Sequence, residues 1–142
     1  MKRRVVVTGL GAITPVGNDV ATTWRALVEG QSGAAPITKF DASSFPVRFA
    51  CEVKNFDASQ YMERKEAKRA DPFTQYAVCC AVQAMQDAGL SNGASYDPNR
   101  TGVIIGSGIG GLKTFEEQHD VYRERGPNRI SAFFIPMFIS DI

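Results

Sequence analysis

Histidine is almost absent from this 142-residue chain: His119 is its one imidazole. Cysteine is scarce as well, with Cys51, Cys79 and Cys80 making an odd number, two of them adjacent. No Cys-x-x-Cys and no paired His spacing exists, so no zinc site is expected, and neighbouring thiols on one helix are poor geometry for a disulfide framework. The chain therefore reads as reduced and cytoplasmic. Excess charge is missing too: sixteen Lys and Arg face fifteen Asp and Glu, a net +1, which gives no global pull toward nucleic acid or membrane. No apolar run approaches the ~18 residues of a membrane span. Met1 to Gly17 imitates a signal peptide, because Lys2, Arg3 and Arg4 precede an apolar stretch. Thr8, Gly9 and Gly11 break that stretch and no A-x-A site follows, so it reads as a buried first strand.

What the chain does have is 44% hydrophobic residues, enough for one globular domain with a sizeable core, and thirteen glycines. Five of them stand in TGVIIGSGIGGL, Thr101 to Leu112, where a short apolar strand at Val103 to Ile105 runs through a turn with four of these glycines into a helix expected over Leu112 to Arg125. Gly106, Gly108 and Gly111 satisfy the dinucleotide fingerprint G-x-G-x-x-G in the right context. The acid some ~20 positions on is Glu124, inside a charged helix rather than at a strand tip, which favours tight packing over nucleotide binding. The first strand, Arg4 to Thr8, leaves through TGLGAITPVG, where Thr14 replaces the third glycine of that fingerprint.

Between these turns the pattern alternates. Asn18 or Asp19 caps a helix carrying Trp24 and Leu27, and Gly30 closes it. Val47, Phe49, Cys51 and Val53 alternate with polar residues as a half-exposed strand would, which makes Cys51 a core thiol. Asp71 before Pro72 starts a helix that runs to about Ala88 and ends at Gly89; its polar stripe of Gln75, Gln83, Gln86 and Asp87 is narrow, so the helix is expected to be buried nearly all round, with Cys79 on the stripe and Cys80 off it. Asn92-Gly93 and Asp97-Pro98 mark a turn region. The alternation argues for an α/β architecture with a largely parallel sheet, but two long apolar strands are too few for one. Phe133, Phe134, Ile135, Met137, Phe138, Ile139 and Ile142 crowd the C-terminus, where polar, frayed residues are usual, so the chain is expected to stop within a core.

Taken together, MKRRVVVTGLGAITPVG, FDASSFPVRFACEVKNFD, RKEAKRADPFTQYA, QAMQDAGL, GVIIGSGIGGL and ISAFFIPMFISDI resemble, in order, the N-terminal third of the bacterial β-ketoacyl-acyl-carrier-protein synthases of type II. The resemblance implies a thiolase-like fold, of which residues 1–142 would be an incomplete part of the first α/β half, a mixed and mainly parallel sheet with covering helices and no second domain. It implies an acyltransferase that elongates fatty acyl chains by decarboxylative Claisen condensation, without a cofactor or metal. The family's nucleophilic cysteine and its two histidines would lie beyond Ile142, so no catalytic residue is expected here and the chain alone is expected to be inactive. His119, beside Glu116, Glu117 and Asp120, reads as a solvated surface histidine.

Three features match the family by position. Ile109 matches a side chain that lines and gates the acyl pocket; the competing reading is a core plug. Phe134 and Ile135 match residues that cross a homodimer interface to close the partner's acyl pocket; the alternative is ordinary interior packing. Arg64, Lys65, Lys68 and Arg69 would form a basic ridge with pairs 64/68 and 65/69 at i,i+4, in the region that meets the acidic acyl carrier protein. A solvated face offset by Glu63 and Glu66 competes with that reading. No aromatic side chains interleave with these charges, which speaks against nucleic acid. Two functional alternatives stay open: an NAD(P)-binding domain using Gly106 to Gly111, and a non-catalytic chain-length partner or polyketide ketosynthase fragment.

Overall fold

The computed structural model describes residues 3–90 and 96–140. The Asn92-Gly93 turn, Lys2 and Ile142 lie outside them. The chain divides into two units, Met1–Asp57 with Cys79–Ala94, and Ala58–Val78 with Ser95–Ile142.

In the first unit, helix α1 covers Val20–Val28, and the Asp19 side chain accepts from the Thr22 amide, as its position before the helix led one to expect. Trp24 and Leu27 nevertheless point outward and Ala26 is the buried residue of the helix. Strands β1 (Ala35–Pro36) and β2 (Phe49–Ala50) pair antiparallel, Ala35 opposite Ala50 and Pro36 opposite Phe49. Proline cannot donate to a ladder, which keeps the pairing short. Phe49 and Cys51 are exposed and Val53 is half-buried, so Cys51 is not a core thiol.

Helix α3 (Pro72–Asp87) begins and ends where the sequence placed it, after a short helix α2 at Arg64–Ala67. It is not buried nearly all round, as the sequence led one to expect: Cys79 is its one buried residue, Ala81, Gln86 and Asp87 are exposed and the rest are half-buried. The polar stripe is the face in use, because the side chains at 75, 79, 83 and 87, spaced by four, all find partners or cover. Gln75 Nε2 donates to the carbonyls of Ala67 and Ala70. Cys79 is the most deeply buried residue described, at 0% exposure. Gln83 accepts from Ala12 N and donates to Asn18 O, and Asp87 accepts from Leu10 N. These side chains satisfy backbone groups of turns that carry few ladder partners, a pairing that hydrophobic periodicity does not register.

The second unit holds α2, the start of α3, helix α4 (Leu112–Arg125, as expected) and helix α5 (Phe134–Phe138).

The expected central strands are not in a ladder. Among the described residues the one sheet is the antiparallel β1–β2 pair, and neither Arg4 to Thr8 nor Val103 to Ile105 joins it. Val5 is 94% and Ile104 100% exposed. A strand needs a neighbour within hydrogen-bonding distance, and neither apolar segment has one.

Candidate functional site

All the residues singled out by position fall in the second unit. At its centre four aromatic rings meet. Phe115 of α4 lies 5.6 Å from Phe138 and 6.4 Å from Phe134, measured between ring centres, and Phe134 stacks on Phe138 at 5.7 Å. His119 stacks on the far side of Phe115 at 6.3 Å and remains mostly exposed, as a surface histidine should. Such pairs each add about 0.5–1.5 kcal/mol beyond the area they bury.

The N-terminus of α4 is held from outside the helix. Its cap position is Gly111, which has no side chain to offer. Asp71, immediately before α3, supplies the missing acceptor: its Oδ2 takes hydrogen bonds from Thr114 N at 2.9 Å and Thr114 Oγ1 at 2.7 Å, with Asp71 and Thr114 5% and 3% exposed. The sequence assigned Asp71 to its own helix; the carboxylate instead neutralises the positive end of α4.

The glycines divide into two kinds. A Cβ added at Gly111 would run into Met137 O and lie 2.8 Å from Phe138 Cα, and one at Gly110, whose φ is +90°, would meet Phe138 O. The absent side chains let Gly111 N donate to Phe138 O at 2.8 Å, tying the loop to the end of α5. Gly106 and Gly108 have nothing within 4 Å of an added Cβ. Ile109 stands between the two kinds, 70% exposed, and is therefore no core plug within this unit. Gly111 N is given to Phe138 O, Leu112 N to Gly110 O and Thr114 N to Asp71, so these three amides at the start of α4 are not available to a phosphate, which weakens the dinucleotide reading.

Phe134 and Ile135 are neighbours with different surroundings: Phe134 turns into the aromatic cluster, while Ile135 faces out. The four cations are all exposed. They do not form the regular ridge expected, because α2 lasts only four residues and the next turn tightens, Arg69 N donating to Glu66 O rather than to residue 65. Arg69 leaves the row and lies over the Phe133 ring, 4.2 Å from its centre, a contact that sequence spacing could not reveal.

The remaining thiols are poorly suited to nucleophilic work. Burial pushes both Cys79 and Cys80 above the ordinary thiol value, Cys79 further through its neighbour Cys80, while a backbone hydrogen bond at Ile13 offsets part of the rise at Cys80; both shifts favour the protonated form that attacks poorly. Among the described residues no three His, Cys, Asp or Glu side chains gather to hold a metal, and no helix is long and apolar enough to cross a membrane.

Residues 2–142 match the family described as Beta-ketoacyl synthase, N-terminal domain. The chain belongs to the β-ketoacyl synthase family. Among curated relatives, "3-oxoacyl-[acyl-carrier-protein] synthase 2" of Synechocystis sp. is 52% identical over 99% of this chain. The chain spans 34% of that relative's length. A solved structure titled "The ishigamide ketosynthase/chain length factor" superposes with a TM-score of 0.79 at 28% identity, covering 98% of this chain and 34% of its own. A second, a type II polyketide ketosynthase in complex with its acyl-carrier protein, gives 0.75 at 25% identity over 98% of this chain and 37% of the other. The fold is thus a part of the thiolase-like ketosynthase architecture, and the α/β class rests on this likeness more than on ladders inside the chain.

Proposed function

We propose that the chain is the N-terminal third of a 3-oxoacyl-acyl-carrier-protein synthase that lengthens fatty acyl chains by decarboxylative condensation with a malonyl thioester, in the cytoplasm and as a homodimer. One observation carries the reading: 52% identity, spread over 99% of the chain, to a synthase of that name. A chain-length partner is the second reading, favoured by the superposition on a ketosynthase/chain length factor but at only 28% identity.

In this reading the chain contributes pocket and docking surface rather than reacting groups. Ile109, exposed on a loop whose Gly106 and Gly108 have open space beside them, lines and gates the acyl pocket. Ile135, with Phe134 behind it, closes the pocket of a second copy. Arg64, Lys65, Lys68 and Arg69 attract acyl carrier protein, which is acidic, and exposed cations of this kind act mainly on encounter and salt dependence. The nucleophile and the charge-stabilising groups would come from outside residues 1–142.

The decisive assay is condensation by the full-length synthase with acyl- and malonyl-carrier protein. Synthesis of the 3-oxoacyl product is expected, and its absence despite intact substrate binding would favour the chain-length partner. Ile109→Phe should shorten the products, because a bulkier gate narrows the pocket. Lys65→Glu should raise the KM for carrier protein about ten-fold at low salt and flatten its salt dependence.

A further inference from the structure

The two residues at the start of α5 are anchored by different partners. Phe133 lies just before the helix and carries the Arg69 guanidinium over its ring at 4.2 Å. Phe134, one position on, packs its ring against Phe115 and Phe138. At the other end of the helix, Phe138 O accepts from Gly111 N. A five-residue helix has too few internal hydrogen bonds to fix its own rotation, so these outside anchors decide which way its exposed side chains point. Ile135 is the next residue round, and it faces out.

We infer that Arg69 is a positioning residue for the acyl-pocket wall, its guanidinium holding Phe133 and thereby setting the direction in which α5 presents Ile135. The inference rests on the pocket role proposed above for Ile109, Phe134 and Ile135. It divides the four cations: Arg64, Lys65 and Lys68 stand free on the surface of α2 and its cap, whereas Arg69 is committed to an aromatic ring. Asp71, two residues later, makes the arrangement stiff. Its buried bonds to Thr114 fix the backbone after Arg69 to the same α4 that carries Phe115. Planar stacking over a ring is something a guanidinium does and an ammonium does less well, so Arg69→Lys keeps the charge while loosening the contact.

The test compares catalytic efficiency on a long and a short acyl-carrier substrate in the full-length synthase. Arg69→Lys and Phe133→Leu should each change the long-to-short ratio of kcat/KM about three-fold in the same direction, and the double variant should change it no further than the larger single effect. The KM for carrier protein should move much less in Arg69→Lys than in Lys65→Glu, which leaves the ratio where it was. An unchanged ratio in Arg69→Lys, or a rise in carrier KM equal to that of Lys65→Glu, overturns the inference and returns Arg69 to the docking cations. Ile109→Phe identifies what failed: if it shifts the ratio while Arg69→Lys does not, the positioning role alone falls; if neither shifts it, the pocket reading falls with it. Phe133→Leu is checked for its melting temperature, and Arg69→Lys, a surface change, carries the test if that variant does not fold.

Discussion

The two glycine turns, TGLGA and GSGIGG, look alike in sequence and are used in opposite ways. Gly9 and Gly11 are both pressed onto α3: an added Cβ at Gly9 would overlap Ala84 O and approach Ala88, and one at Gly11 would overlap Cys80 O. In the second turn only Gly110 and Gly111 are pressed, against α5, while Gly106 and Gly108 border open space. The first turn is closed by α3, a helix distant in sequence rather than the one that follows it, with Leu10 N and Ala12 N handed to Asp87 and Gln83. The second leaves an exposed isoleucine on a partly free loop, so a strand–glycine–helix pattern marks close approach of backbone without saying what approaches.

The comparison breaks most sharply at Gly11. Gly11→Ala should cost about 3 kcal/mol, because the methyl meets main chain that cannot swing aside, and a denaturant midpoint would show it. Asp71→Ala should cost about 2 kcal/mol through the loss of two buried charge-assisted bonds, read in the same way and as faster amide exchange at Thr114. Gly106→Ala should fall within about 0.5 kcal/mol of the parent; a penalty near that of Gly11→Ala would mean the second turn is as closed as the first. Thiol labelling gives a smaller but clean contrast: exposed Cys51 should react at once, and Cys79 only as fast as its unit opens. The smallest effect is in the first unit, where Thr38 Oγ1 donates to Glu52 at 2.6 Å and holds its carboxyl below the ordinary value. A depressed carboxylate contributes fully above its unfolded pKa of about 4.3, and the contribution is lost as pH falls through the lowered folded value. The Thr38 amide signal should therefore titrate below about pH 4.3, and Glu52→Gln should abolish that titration.

The helices were legible. Asp19, Gly30, Pro72, Gly89, Leu112 and Arg125 delimit α1, α3 and α4 because capping and backbone preference act within a few residues of sequence. Ile109, Phe134, Ile135 and the cations were singled out by position in the family, and all fall in one unit. What the sequence could not show is whatever depends on a partner far along the chain. Asp71 belongs to Thr114, forty-three residues on, although it stands where a local cap would. Gln75, Gln83 and Asp87 spend their polar atoms on backbone groups of neighbouring segments, with Cys79 buried among them, although polarity alone would leave them to solvent. Val5 and Ile104 carry strand character without a ladder, since a strand's pairing is decided by its neighbours and not by its own residues.

Because the first turn of α4 is tethered to Asp71 and its entrance, through Gly111, to Phe138, the start of that helix is held by Gly110 and Gly111 and not by the side chains of Gly106, Gly108 and Ile109 before them. Positions 106, 108 and 109 can take other side chains while the frame stays put, whereas Ser107, whose Oγ accepts from Gly110 N, belongs to that frame. Side-chain changes at those three positions should leave the packing of α4 on α5 untouched.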